Sequence, residues 1–207
     1  MSRQRKKRPV KEKILFFVEG TTEKNYFEEL FIIHDLQTAK ASVIMEGAGD
    51  WVDKTARIIK NTHSHRYKSD SGTKIYIIFD KDNYKDEEIA KMREKATSLK
   101  GIKKASCQVC VSNCSFEVWL LAHYEKMTPK VIEYSSTWQK KLEQKLTKYL
   151  GEKYVKEEST NTKLIRKILA NNKVYAAINN TKSIAVYSDT TQSTDINLMI
   201  KSLINQQ

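Results

Sequence analysis

The 207 residues, 40% of them apolar and 30% charged, suit one globular core with a small extension and leave no room for two ordinary domains. No run approaches the roughly 18 consecutive apolar residues of a membrane helix, and the start lacks the apolar stretch of a signal peptide, so a cytoplasmic protein is expected. A formal net charge of +12 points to a polyanionic partner, nucleic acid first, because Lys and Arg that neutralise phosphates release counterions.

Arg3, Arg5, Lys6, Lys7 and Arg8 form a basic arm over residues 1–12, suited to lying on a phosphate backbone. Ile14–Val18 is a short apolar run with β-formers on both faces, which predicts a central parallel strand covered on both sides. Thr21 and Thr22 follow as candidate helix caps, and Tyr26, Phe27, Leu30 and Phe31 recur at helical spacing. A second strand is predicted at Ser42–Met45. After the turn Glu46–Gly49, Asp50 is placed to cap a helix carrying Trp51, Ala56 and Ile59. Lys60–Ser71 reads as a polar loop, Ile75–Phe79 as a buried strand, Asp86–Leu99 as an exposed helix with Ile89, Met92 and Ala96 inward. Ala105–Val111 is the fourth strand and Ser115–Tyr124 the fourth helix.

This alternation over residues 13–125 predicts an α/β fold, a mostly parallel sheet flanked by helices. Beyond Thr128-Pro129 the pattern turns helical, with Trp138–Leu150, Thr162–Ala170, Val174–Tyr187 and Asp195–Ile204 as helices and no convincing strand. Residues 126–207 are therefore expected to form a helical appendage packed on the sheet.

Ligands of open α/β sheets bind at the carboxyl ends of the strands. Glu19 follows the first predicted strand, while Asp80 and Asp82 follow the third. Asp-x-Asp in an extended segment puts both carboxylates on one side. Clustered carboxylates repel one another unless a hard cation with oxygen ligands, Mg²⁺ or Mn²⁺, joins them. On a phosphodiester such a site activates water and stabilises developing charge.

Ile14–Phe27, ILFFVEGTTEKNYF, resembles the opening motif of Toprim domains in its Val-Glu-Gly-x-Thr-Glu form, and Phe79–Asp82, FDKD, resembles the second. Ser112–Tyr124, SNCSFEVWLLAHY, is similar to the Ser-Asn-x-x-Phe-Glu-x-Trp-Leu-Leu-x-His signature of RloB-like proteins, although Cys114-Ser115 stands where that family usually has Pro-Cys or similar. Those are small Toprim proteins of bacterial defence and restriction loci, often encoded beside an ATPase and related to AbiL. OLD nucleases carry a related two-metal site. The resemblance implies a Toprim-like core and a metal-dependent nuclease of DNA or RNA, with a partner ATPase and room for a homo-oligomer. It also implies Glu19 and Asp80 as main metal ligands, Asp82 beside them, Glu23 from the first helical turn, and Glu117 at a second ion. Ser112, Asn113 and Ser115 would be polar partners at the site, and Lys156 from the tail would neutralise the scissile phosphate. His123 is open between orienting a substrate phosphate and hydrogen-bonding inside the fold.

Other motifs carry less. Cys107 and Cys110, three apart on a predicted strand, point to opposite faces and with Cys114 read as small buried hydrophobes rather than a zinc site. His63-Ser64-His65 falls in the polar loop, and Gly47-Ala48-Gly49 lacks the Lys and Ser/Thr of a phosphate-binding loop. Trp119, Leu120 and Leu121 read as core. The competing function is a non-catalytic nucleic-acid- or partner-binding module whose acids hold a structural ion or none.

Overall fold

The computed structural model describes residues 13–44, 50–61, 73–82, 84–98, 106–156 and 158–204. The basic arm, the Gly47–Gly49 turn and the His63/His65 pair lie outside them. Five strands form one sheet in the order β2-β1-β3-β4-β5: β1 Ile14–Val18, β2 Ala39–Val43, β3 Lys74–Asp80, β4 Ser106–Asn113 and β5 Ser193–Thr194. The first four are parallel, and β5 joins β4 antiparallel.

Strand periodicity divides the core in two. In β1, Ile14, Phe16 and Val18 face one apolar layer, whereas Leu15 and Phe17 face the other. In β3, Tyr76 and Ile78 alternate in the same way with Ile75, Ile77 and Phe79. Both faces are buried, which explains why these strands read as continuous apolar runs. Each fully buried Phe or Ile contributes about 1.5–3 kcal/mol relative to exposure. Cys110 lies in the first layer and Cys107 packs on the second, as their spacing requires.

One face is covered by α2 (Trp51–Asn61) and α3 (Asp86–Thr97), the other by α1 (Thr21–Ile33) and α4 (Glu117–Leu121). The tail helices α5 (Ser135–Leu150), α6 (Glu158–Leu169), α7 (Lys173–Asn180) and α8 (Ile196–Ile204) share the apolar layer of α1 and α4 through Leu146, Ile165, Ala177 and Ile200. Asp50 caps α2 as predicted, its Oδ1 accepting from the N–H groups of Val52 and Asp53 at 2.9 and 3.1 Å.

Several expectations need correcting. The cap of α1 is Gly20, not a threonine; Thr22 lies inside the helix, buried, and accepts from Asn161 Nδ2 at 3.2 Å. The second strand begins at Ala39 because it pairs in register with Ile14 onward. Asp80-Lys81-Asp82 is not extended: Asp82 has φ 40, a left-handed conformation that Asp tolerates better than most residues, and the chain turns there. The expected helix 174–187 stops at Asn180, followed by a 3-10 turn at Lys182–Ile184. Asn171 and Asn172, both with positive φ, separate it from α6. The tail also contains a strand. Ser193–Thr194 pairs with Ser112 and Asn113, and two residues are too short to leave an alternating pattern. Among the described residues no helix is long and apolar enough to cross a membrane.

Candidate functional site

Chain connections leave β1 toward one face through α1 and β3 toward the other through α3. The strand order therefore reverses between β1 and β3, the place where open sheets form a crevice at their carboxyl ends. Val18 is level with Ile78, so Glu19 emerges beside the end of β3. Its Oε2 accepts a hydrogen bond from the Asp80 backbone N–H at 2.9 Å. Asp80 in turn is level with Ser112, from which the chain runs through the Asn113–Ser115 turn to Glu117 at the start of α4. Glu23 comes from the first turn of α1, where the helix N-terminus favours a carboxylate. Gly20 makes room for it: a Cβ there would lie 2.7 Å from Glu23 Oε2.

The acids sense one another. Burial holds the Asp80 carboxyl well above its ordinary value, and the charges of Glu23, Glu117, Glu19 and Asp82 add to it. Burial, with Glu117 and Glu19 beside it, pushes Glu23 up to about 7. Glu19 is raised by burial against the pull of the Asp80 N–H, with Asp82 adding to the rise. Asp82, at the rim, is raised by loss of surrounding water and by Glu117, against the pull of Lys156. Four acids raised chiefly by burial, and further by one another's charge, form one electrostatic unit.

The tail supplies the counter-charge. Glu117 is 1% exposed, and its Oε1 accepts from the Tyr154 hydroxyl at 2.9 Å and stands 2.9 Å from Lys156 Nζ. Lys156 also approaches Glu143 of α5 at 3.8 Å. Burial alone would lower Lys156, but Glu117, Asp80 and Glu143 outweigh it and the ammonium is raised. Tyr154 and Glu143 are not among the expected site residues; Tyr154-x-Lys156 resembles the closing region of RloB-like proteins, while nothing local marks Glu143.

Five carboxylates offer the all-oxygen donor set of a hard dication, and Glu117 Oε2 is buried with no hydrogen-bond partner among the described residues. That chemistry fits Mg²⁺ or Mn²⁺. Yet among the described residues no three His, Cys, Asp or Glu side chains are gathered into a cage for a metal ion. The hydrogen bonds account for this: Glu19 turns one oxygen to the Asp80 N–H, and Glu117 turns one to Tyr154 and Lys156.

Four other predicted residues have structural partners instead. The Ser112 hydroxyl is buried against Thr194 Oγ1 at 3.0 Å, across the β4–β5 pair. Asn113 Nδ2 donates to the carbonyls of Ser188, Asp189 and Thr191, between 2.8 and 3.1 Å, and so clamps the loop before β5. Ser115 is buried in the turn into α4. Of the two roles open to His123, the structure shows the hydrogen bonds inside the fold. Its Nδ1 lies 3.1 Å from Trp119 O and 3.2 Å from Leu120 O, and its Nε2 3.1 Å from the Tyr26 hydroxyl. Two carbonyls at Nδ1 require the proton there, so Nε2 accepts from Tyr26.

Fold and rim together define an α/β protein with clustered acids where its strand order reverses. A family model of RloB-like proteins matches residues 14–203, and the chain belongs to the RloB-like family. Comparisons with curated proteins and with solved structures gave no match.

Proposed function

We propose that the chain is a Toprim-type nuclease that depends on Mg²⁺ or Mn²⁺ and hydrolyses phosphodiesters of DNA or RNA. In this reading it is a cytoplasmic effector of a bacterial phage-defence or restriction-associated system, acting with a partner ATPase. The supporting observation is the meeting of Glu19, Glu23, Asp80, Asp82 and Glu117 at one sheet rim, with Lys156 beside them. Those five acids would hold the ion, which when bound supplies Lewis-acid stabilisation of charge on the phosphoryl oxygens. Glu19, with its raised carboxyl, accepts the proton of the attacking water. Lys156 exchanges Glu117 for a non-bridging oxygen of the scissile phosphate, and Tyr154 keeps Glu117 oriented meanwhile.

The test incubates the protein with plasmid and with total tRNA, in Mg²⁺, Mn²⁺ or EDTA, beside Asp80→Asn. Cleavage that needs metal and vanishes in the variant is expected. A second reading, the non-catalytic binding module, is favoured by Glu117 already holding Lys156. Binding of nucleic acid without cleavage, in every metal and with a neighbouring ATPase added, would establish that reading instead.

A further inference from the structure

The surplus positive charge has a described location away from the acidic rim. Trp138, Lys141 and Lys145 are spaced three and four residues apart, so they follow one face of α5, and Tyr134 is the residue that caps its start. This face borders a pocket of about 250 Å³ closed by Leu121, Lys126, Lys130 and Gln192. Four lysines stand at the pocket against one carboxylate, Glu125, which already binds Lys145 and the Tyr149 hydroxyl. Among the described residues no carboxylate pairs with Lys126, Lys130 or Lys141.

Aromatic rings lie among these ammoniums. Trp138 is half-buried and fixed by its edge, Nε1 donating to Gln192 Oε1 at 3.3 Å. Gln192 is itself buried and donates to Thr128 O at 2.6 Å, so the ring does not swing. Lys141 Nζ sits 5.3 Å from the ring centroid. One turn earlier Tyr134 is 72% exposed, so its ring is open to a stacking partner. A fixed indole and an exposed phenol ring among lysines that pair with no described carboxylate match a ligand that has flat faces and regularly spaced negative charge. An acidic peptide would satisfy the lysines and leave the rings idle.

We propose that this face of α5 and its pocket bind single-stranded nucleic acid, with a base stacked on Trp138 or Tyr134 and phosphates along Lys126, Lys130 and Lys141. Only an unpaired base can offer its face to a ring. The placement also serves the rim: α4 begins at Glu117 and ends at Leu121, which lines the pocket. Four residues of helix separate the two by about 6 Å along the axis. The proposal rests on the nucleic-acid part of the preceding reading, though not on cleavage.

The experiment measures anisotropy of a short labelled single strand, DNA and RNA in turn, against salt. It uses the Asp80→Asn chain in EDTA, so that binding is read without hydrolysis. Replacing Lys126, Lys130 and Lys141 together by Gln should reduce the salt slope by about 2, at roughly 0.7 per lost phosphate contact. Trp138→Ala should weaken binding about 5- to 100-fold, while Trp138→Phe keeps most of it. If Trp138→Ala does not fold, Tyr134→Ala with the lysine variants reads the same surface. Unchanged affinity and slope in all variants overturn the site, as does equal affinity for a duplex or an acidic peptide. Plasmid and tRNA cleavage by the wild type is scored separately, so loss of this site and loss of the nuclease reading give different results.

Discussion

His123 provides the sharpest physical test of the core. It is 3% exposed, and burial lowers its pKa from 6.5 to about 4 against the help of the Trp119 and Leu120 carbonyls. A base whose folded pKa is depressed stays neutral in the native state. Its contribution is fully present above pH 6.5 and is lost as pH falls through the folded value. A fall from 6.5 to about 4 corresponds to roughly 3 kcal/mol between the two plateaus, of which about 2 kcal/mol is already gone at pH ~5. Replacing His123 by Phe keeps an aromatic ring and removes the titration. It also orphans the buried Tyr26 hydroxyl, which costs about 1–3 kcal/mol near neutral pH. The two stability curves therefore cross near pH ~5, the wild type being more stable above and the variant below. Urea unfolding of both proteins by fluorescence, at steps between neutral pH and pH ~4, reads the crossing. The carboxylates of the rim titrate in both proteins and cancel in the difference. A gap that stays constant across this range would refute the assignment of a neutral, buried imidazole.

Lys156→Met leaves Glu117 buried beside Tyr154 alone; because Lys156 is 43% exposed, the loss should be about 1–2 kcal/mol, shrinking when Mg²⁺ is added, as measured by thermal melts with and without metal. Gly20→Ala pushes Glu23 from its place with no change in backbone requirement, since φ is −128. It should weaken Mg²⁺ binding in a calorimetric titration severalfold while the melting temperature changes little. Leu146→Ala opens a cavity where tail and sheet meet and should cost about 2–5 kcal/mol in calorimetric unfolding, with rim acids untouched.

The elements that can be read from the chain are those whose signal is local. Ile14–Val18 and Ile75–Phe79 announce themselves because both faces of a central strand must be apolar. Glu19 and Asp80 follow from them, since a residue just past such a strand has nowhere to go but the rim. Asp82 reaches its position by a turn rather than by strand alternation, because a single residue with positive φ breaks the alternating pattern. The tail was harder. Tyr154 and Lys156 reach Glu117 across 37 and 39 residues of sequence, and no spacing rule spans that distance. Ser193–Thr194 is a strand only because β4 offers it an edge. Ser112, Asn113 and His123 lie in the most distinctive segment of the chain, yet their polar atoms hold the fold: hydroxyl to Thr194, amide to the 188–191 loop, imidazole to Tyr26.

Ser193–Thr194 and the Lys156 segment together tie the finished molecule to its order of synthesis. A growing chain that has emerged through β4 carries an open sheet edge, with the backbone groups of Ser112 and Asn113 ready to pair with any passing strand. It also holds a knot of acids with Glu117 still lacking its ammonium. Both defects are repaired from the last quarter of the chain, so a product truncated after α4 would be sticky at one border and electrostatically strained at the other.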